Sequence, residues 1–164
     1  MRLFVAIDLS PEIKKTLVSY MHDLKQKGIK GNYTPAQNLH LTLCFVGEVP
    51  TSDGVKAALK TVSYKPFKLT LDETGRFGEI FWLGIKSNQK LKGLAADIRK
   101  AFDEAGIAYD KKPFEPHITL VRKVGGPTTG KIPVPKDDMM VKKVSLMKSE
   151  QKNGKMVYTE IFSF

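Results

Sequence analysis

The chain opens with a short apolar run, "RLFVAIDL", that reads as a strand. The apolar period then lengthens. Ile13, Leu17, Tyr20, Met21 and Leu24 recur at helical spacing through "SPEIKKTLVSYMHDLK", so one face of a helix is predicted to be buried. Ser10 can cap its free N–H groups, Pro11 suits the first turn, and Gly28 ends it. A strand follows over about 38–46. A second helix over about 52–63 carries Val55, Ala58, Leu59 and Val62 on one stripe, with Thr51 or Ser52 as its cap. "FKLTLDE" alternates like a half-buried strand, and "EIFWLGI" is a more continuous apolar one. A third helix, about 88–105, holds Leu91, Leu94, Ala95, Ile98, Phe102 and Ala105 in period, and Gly106 stops it. Another strand leads into the Gly- and Pro-rich stretch "KVGGPTTGKIPVPKDD", a length of loop that in a compact domain is functional or mobile. Two strands around "KNGK" close the chain, with Asn153-Gly154 suited to a tight hairpin turn.

The predicted order is β-α-β-α-β-β-α-β-β-β. It divides into two similar halves, each with a helix followed by a strand that carries one short pattern. "LHLTLCFVGEV" begins at Leu39, and "PHITLVRKVGG" begins at Pro116. Both contain His, an apolar residue, Thr and Leu. Two of the three histidines of the chain, His40 and His117, occupy these copies. The expectation is an α+β protein of one domain, residues 1–164, in which two related lobes share a core.

Composition narrows the partners. Lysine and arginine outnumber the acids 27 to 17, a formal net charge of +10, which favours polyanions such as RNA or nucleotides. No run approaches the roughly 18 apolar residues of a membrane span, and the apolar start contains Asp8 and no signal cleavage site. With Cys44 as the single cysteine there is no intrachain disulfide, and a reducing cytoplasm is the default. Neither a GxxxxGK[ST] loop nor a GxGxxG fingerprint is present, so no nucleotide cofactor is expected. Two histidines lacking a nearby carboxylate or thiol make a poor zinc set, and His22 on the first helix reads as a surface residue, so no metal is expected either.

Side chains alternate along a strand, so His40 and Thr42 share one face while Leu41 and Leu43 share the other. The same holds for His117 and Thr119 against Ile118 and Leu120. If the halves meet about a pseudo-twofold axis, the four polar groups converge. The threonines can then donate to the oxygens of a phosphate. One neutral imidazole can take a proton from water while the other, as imidazolium, protonates a leaving oxygen. A single His-x-Thr in a strand fills a semi-buried slot more often than it catalyses; the repetition is what marks the pair as a site. Cys44 lies two residues beyond Thr42 on that same face, where strict alternation predicts a thiol near the cleft and a packed bystander is the plainer alternative.

Taken with its flanks, the pattern is similar to a known family. "HLTLCFVGEV" and "PHITLVRK" resemble the paired HxTx motifs of the 2H phosphoesterase superfamily, and most of all its RNA 2′,3′-cyclic phosphodiesterase branch, first named 2′-5′ RNA ligases. "RLFVAIDL", "GRFGEIFWLGI", "FEPH" and "SLMKSEQKNGKMVYTEI" extend the likeness over nearly the whole chain. The resemblance implies a bilobal pseudo-twofold α+β fold, two antiparallel sheets flanking a central cleft with helices outside. It implies metal-independent hydrolysis of a 2′,3′-cyclic phosphate to a 2′-phosphomonoester, with His40 as acid, His117 as base, and Thr42 and Thr119 holding the phosphate. The substrates implied are RNA or an oligonucleotide with such an end, or small cyclic nucleotides, acted on by a monomer.

Five residues beyond each histidine stand Phe45 and Arg122. Pseudo-symmetry sets them on opposite walls of one cleft, and the family uses these positions to sandwich a nucleobase between a ring and a guanidinium. Strict alternation would bury both, so each needs a strand end or a bulge to turn it outward. Two departures stand out: the "GRFGEIFWLGI" stretch lacks the proline of relatives, and Cys44 occupies a position that is often polar among them. The lysines of 131–155 are expected to extend contact along an RNA backbone. Other readings remain open at this point: 2′-5′ linked oligonucleotides or ADP-ribose cyclic phosphate as substrates, ligation of tRNA halves by a 2′-5′ bond as the reverse chemistry, and a protein that only binds RNA ends.

Overall fold

The computed structural model describes residues 1–126 and 133–164. Its elements, in chain order, are β1 (Arg2–Asp8), α1 (Pro11–Gln26), β2 (Lys30–Tyr33), β3 (His40–Glu48), α2 (Asp53–Leu59), β4 (Phe67–Phe77), β5 (Ile80–Ile85), α3 (Gln89–Ala105), β6 (His117–Gly125), β7 (Asp138–Val141), β8 (Ser145–Lys152) and β9 (Lys155–Ser163), with a 3-10 turn over Ala36–Asn38. The strands form two antiparallel sheets, one in the order β3-β1-β8-β9 and the other in the order β2-β6-β5-β4-β7. The expected α+β class with two antiparallel sheets is therefore what the chain adopts.

The helix ends follow local chemistry. Ser10 Oγ accepts from the Ile13 N–H at 3.2 Å, Pro11 occupies the first turn, and Gly28, at φ +86°, lies just past the last turn. Asn88 Oδ1 accepts from the N–H groups of Lys90 and Leu91, and Gly106 takes the left-handed conformation beyond α3. Helix α2 is shorter than the predicted 52–63, and Thr51 Oγ1, rather than Ser52, accepts from Asp53 N–H. Asn153 and Gly154 both have positive φ, the turn that matches the twist of a two-residue hairpin.

Two strands were not predicted, β2 and β7. They are the two edges of the five-stranded sheet, each of four residues. A short edge strand buries little on either face, so it lacks the apolar alternation that reveals an inner strand. Residues 127–132 of the Gly- and Pro-rich stretch, Lys131 among them, lie outside the described residues.

One apolar core runs through both sheets and beneath all three helices, from Leu3, Val5 and Ile7 to Leu83, Phe102 and Leu120. The internal repeat is visible in the strand pairing. In one half β1 leads through α1 to β3, which pairs back antiparallel to β1; in the other β5 leads through α3 to β6, which pairs back to β5. The motif strands β3 and β6 then lie against each other where the two sheets meet. Helix α3 follows β5 yet also packs on β3, so the halves share their packing. Among the described residues no helix is long and apolar enough to cross a membrane.

Candidate active site

The register of the two ladders places the motif residues equivalently. On β3, His40 faces Asp8 and Thr42 faces Ala6; on β6, His117 faces Gly84 and Thr119 faces Trp82. Residues directly opposite in an antiparallel pair point to the same side of the sheet. The other side of each motif strand, with Leu41 and Ile118, is fully buried.

One residue beyond each threonine the ladder slips. Cys44 pairs with Val5 and Phe45 with Phe4, so Leu43 is the extra residue of a bulge. On β6 Val121 pairs with Phe81, and Leu120 is the extra residue. The bulge reverses the alternation in both strands, which is why two adjacent residues in each are buried, Leu43 with Cys44 and Leu120 with Val121. Phe45 is returned to the His/Thr face by this slip. The shift carries Arg122, the next residue after Val121, to that face as well, and it is exposed. These are the bulges that the two positions require. Phe45 is half-buried, and the guanidinium of Arg2 lies 4.8 Å from the centre of its ring.

The same slip corrects the expectation for Cys44. The thiol is not on the His/Thr face but in the core, 3% exposed, beside the charged groups of α3. Burial pushes its pKa up to about 12, which keeps it a protonated, inert packing group. The departure from a polar residue at this position therefore does not alter the approach to the motif groups.

Each imidazole is held by the backbone two residues before it. His40 Nδ1 lies 2.7 Å from the Asn38 carbonyl, and His117 Nδ1 lies 2.7 Å from the Glu115 carbonyl. A carbonyl oxygen can only accept, so Nδ1 carries the hydrogen in both rings and Nε2 is the atom left to exchange protons. For His40 that atom meets Thr42 Oγ1 at 2.9 Å. His40 is held below the ordinary imidazole pKa chiefly by burial, with the charges of Arg122 and His117 acting in the same direction; the Asn38 carbonyl and the Asp8 carboxylate oppose them. His117 and Arg122 on β6 thus lie near enough to His40 on β3 for their charges to act on it.

Aromatic rings flank both histidines, a feature the sequence reading missed. Phe4 lies 5.0 Å and Tyr158 5.2 Å from His40, centre to centre, the tyrosine edge-on. Phe77 lies 5.2 Å and Trp82 6.0 Å from His117. The signal for Phe4 was present, since the even positions of β1 share a face with the motif. Tyr158 comes from the distant β9 and could be found only through the strand order. His22 is exposed on α1, as expected.

In sequence and fold the chain is similar to known proteins. The family model of the 2′-5′ RNA ligase superfamily matches residues 11–153. A protein of Escherichia coli named RNA 2′,3′-cyclic phosphodiesterase is 35% identical over 82% of this chain and 77% of its own length. A protein of the same name from Geobacillus stearothermophilus is 33% identical over 75% of this chain but only 42% of its own length, so the present chain spans less than half of that relative. The crystal structure of E. coli LigT in apo form superposes with a TM-score of 0.84 at 30% identity, covering 99% of this chain and 95% of that one. The form complexed with 3′-AMP gives a TM-score of 0.82 at 29% identity, with coverage of 99% and 95%. With both motifs presented on matching bulged strands, and with this likeness over nearly its full length, the chain belongs to the 2′-5′ RNA ligase superfamily and has the 2H phosphoesterase fold.

Proposed function

We propose that this chain is an RNA 2′,3′-cyclic phosphodiesterase, a hydrolase that opens a terminal 2′,3′-cyclic phosphate to a 2′-phosphomonoester without a metal. The observation that carries the reading is the matched presentation of two imidazoles, each fixed through Nδ1 and each with Nε2 as its proton-exchanging atom. An in-line displacement at phosphorus needs one proton acceptor and one proton donor on opposite sides, and two such histidines supply both. His117 Nε2 takes the proton of the attacking water. Oxygen bonds to phosphorus, the P–O3′ bond breaks, and His40 Nε2 protonates O3′. The order, His40 as acid and His117 as base, is carried over from the family resemblance; burial holds His40 below the ordinary imidazole pKa, and the Asp8 carboxylate across the ladder opposes that shift.

Thr42 and Thr119 hold the non-bridging oxygens, and Phe45 with Arg122 receives the terminal base. Stacking accepts any base, so little sequence preference is expected. The reading takes the chain as one catalytic unit that works as a cytoplasmic monomer on RNA ends or small cyclic nucleotides.

The test is incubation of a short RNA ending in a 2′,3′-cyclic phosphate, in the presence of EDTA, with chromatographic identification of the product. Conversion to a 2′-phosphate, lost in His40→Ala and His117→Ala, is the expected result. A 3′-phosphate product, or variants as active as the parent, would sink the proposal; binding without turnover by the parent would favour an RNA-end binding protein.

A further inference from the structure

Arg2 stands at the opposite end of the β1–β3 ladder from His40. Along that ladder Asp8 faces His40, Ala6 faces Thr42, Phe4 faces Phe45, and Arg2 faces Glu48. The register of β1 with β8 runs unbroken from Arg2 to Ala6, so Arg2, Phe4 and Ala6 share the His/Thr face. Leu3 and Val5, between them, are fully buried on the other face. Arg2 is exposed, and its guanidinium carbon lies 4.8 Å from the centre of the Phe45 ring. Among the described residues no carboxylate forms an ion pair with it, Glu48 directly across the ladder included.

Its chemistry selects a ligand. The attraction between a cation and an aromatic ring acts on the charge and occupies none of the five N–H donors of the guanidinium. A planar group with its donors open is matched to phosphate oxygens, which it can take two at a time. The ring of Phe45 meanwhile holds the long side chain in one place, which lowers the cost of ordering it when an anion arrives.

The order of groups along the ladder matches a nucleotide laid out along it. On the reading proposed above, the cyclic phosphate belongs at His40 and Thr42, and the terminal base at Phe45. The backbone of a nucleotide continues from its 5′ carbon, at the end of the unit opposite to the 2′ and 3′ oxygens. The 5′ side of the substrate then emerges beyond Phe45, away from His40, where Arg2 stands. We propose that Arg2 binds the phosphate on the 5′ side of the terminal nucleoside, so that the site favours the end of an oligonucleotide over a free cyclic mononucleotide. The inference rests on the cyclic phosphodiesterase reading and on the place of Phe45 within it. A phosphate contact positions the chain without reading its bases, so it adds no sequence preference.

Three substrates test it: adenosine 2′,3′-cyclic phosphate, the same compound bearing a 5′-phosphate, and a diadenosine dinucleotide with a 2′,3′-cyclic phosphate end. The readout is the ratio of kcat/KM for each 5′-substituted substrate to that for the first. In the parent this ratio is expected to be about ten, the effect of one hydrogen bond to a charged group, and to fall as salt is raised. Arg2→Gln should bring it close to unity, and Arg2→Lys should keep part of it. Lys100→Gln, which removes one exposed charge from the outer helix α3, should leave the ratio as it is. Any loss that comes from a less firmly held Phe45 ring falls on all three substrates and cancels in the ratio. A parent ratio near unity overturns the proposal, and so does an Arg2→Gln ratio equal to that of the parent. A fall of the same size in Lys100→Gln would assign the preference to net charge and overturn it as well. If none of the three substrates is hydrolysed, the hydrolase reading fails and binding alone judges the phosphate contact. Adenosine 2′,5′-bisphosphate held about tenfold more tightly than adenosine 2′-phosphate, with the difference lost in Arg2→Gln, supports the contact, and equal affinity overturns it.

Discussion

Asp8 stands directly across the β1–β3 ladder from His40, and the residue in the corresponding position across from His117 is Gly84. Two histidines on near-identical scaffolds are thereby placed in different fields. Asp8 also holds Lys14 Nζ at 2.9 Å, which tempers its carboxylate but leaves it an attraction for a charged His40.

The His40 pKa should therefore respond to single charges with a definite sign. Removing the attraction in Asp8→Asn lowers it further, and removing a repulsion in Arg122→Ala raises it. Titration of the imidazole C–H resonances by NMR measures both, with three histidines to assign. Shifts in the opposite directions would show that the site is not arranged as described.

The lowered pKa also fixes a sign for stability. Between the folded-state pKa of His40 and the ordinary value near 6.5, the unfolded chain binds more protons than the folded one. His40 therefore contributes stability above that ordinary value, and the contribution is lost as pH falls through the folded pKa. The difference in urea midpoint between the parent and His40→Gln, followed from pH 8 to pH 4.5, should change in that window. A difference independent of pH would contradict the burial of His40.

Thr42 and Thr119 are expected to act on phosphate through their hydroxyls, so Thr→Val keeps the strand and removes the donor. A hydrogen bond to a charged group is worth about 1.5–3 kcal/mol, or roughly ten- to a hundredfold in kcat/KM. Thr42→Val should in addition alter the His40 titration, because its hydroxyl lies 2.9 Å from Nε2. Steady-state kinetics on a 2′,3′-cyclic mononucleotide give both values. Loss of less than about twofold in either variant would remove that threonine from the phosphate site.

The bulges make a separate claim about Cys44. As a core residue it should resist thiol reagents until the protein unfolds. Cys44→Ser should destabilise by about 1–3 kcal/mol, through burial of a hydroxyl in an apolar setting, and leave kcat/KM unchanged. Rapid modification of the native thiol would place it on the other face.

Gly75 faces Trp82 across the β4–β5 ladder, and a Cβ there would come within 2.3 Å of the indole ring carbons. Gly75→Ala must displace the indole that flanks His117, at a cost of about 1–3 kcal/mol from overpacking. A shift in Trp82 emission and a fall in activity should accompany the loss of stability. Gly93→Ala is the contrasting substitution: it lies within α3 with no other atom near the new methyl group, and should stabilise by about 0.5–1 kcal/mol. Urea denaturation distinguishes the two signs.

The sequence disclosed the inner strands, the helices and the four motif residues because each carries its own periodic or repeated signal. Ile13, Leu17, Tyr20, Met21 and Leu24 are all buried on α1, as their spacing requires. The edges β2 and β7 escaped because edge strands hold few buried residues. The faces of Cys44, Phe45 and Arg122 could not be derived from alternation, since a bulge has no mark of its own; the paired apolar residues Leu43-Cys44 and Leu120-Val121 become informative only when the two copies are compared. Tyr158 and Phe4 meet at His40 through the pairing of strands far apart in sequence, where local patterns carry nothing.

The backbone hold on each Nδ1 has a consequence for turnover. Because Asn38 and Glu115 fix the two rings by carbonyl oxygens, either ring can be charged or neutral without turning. The mounting of the two rings is therefore alike, and what distinguishes them is the set of groups around each, Asp8 across from His40 and Gly84 across from His117. On the proposed reading each imidazole takes up or gives up its proton at Nε2 while the plane of the ring stays fixed, so a turnover needs no rotation of either ring.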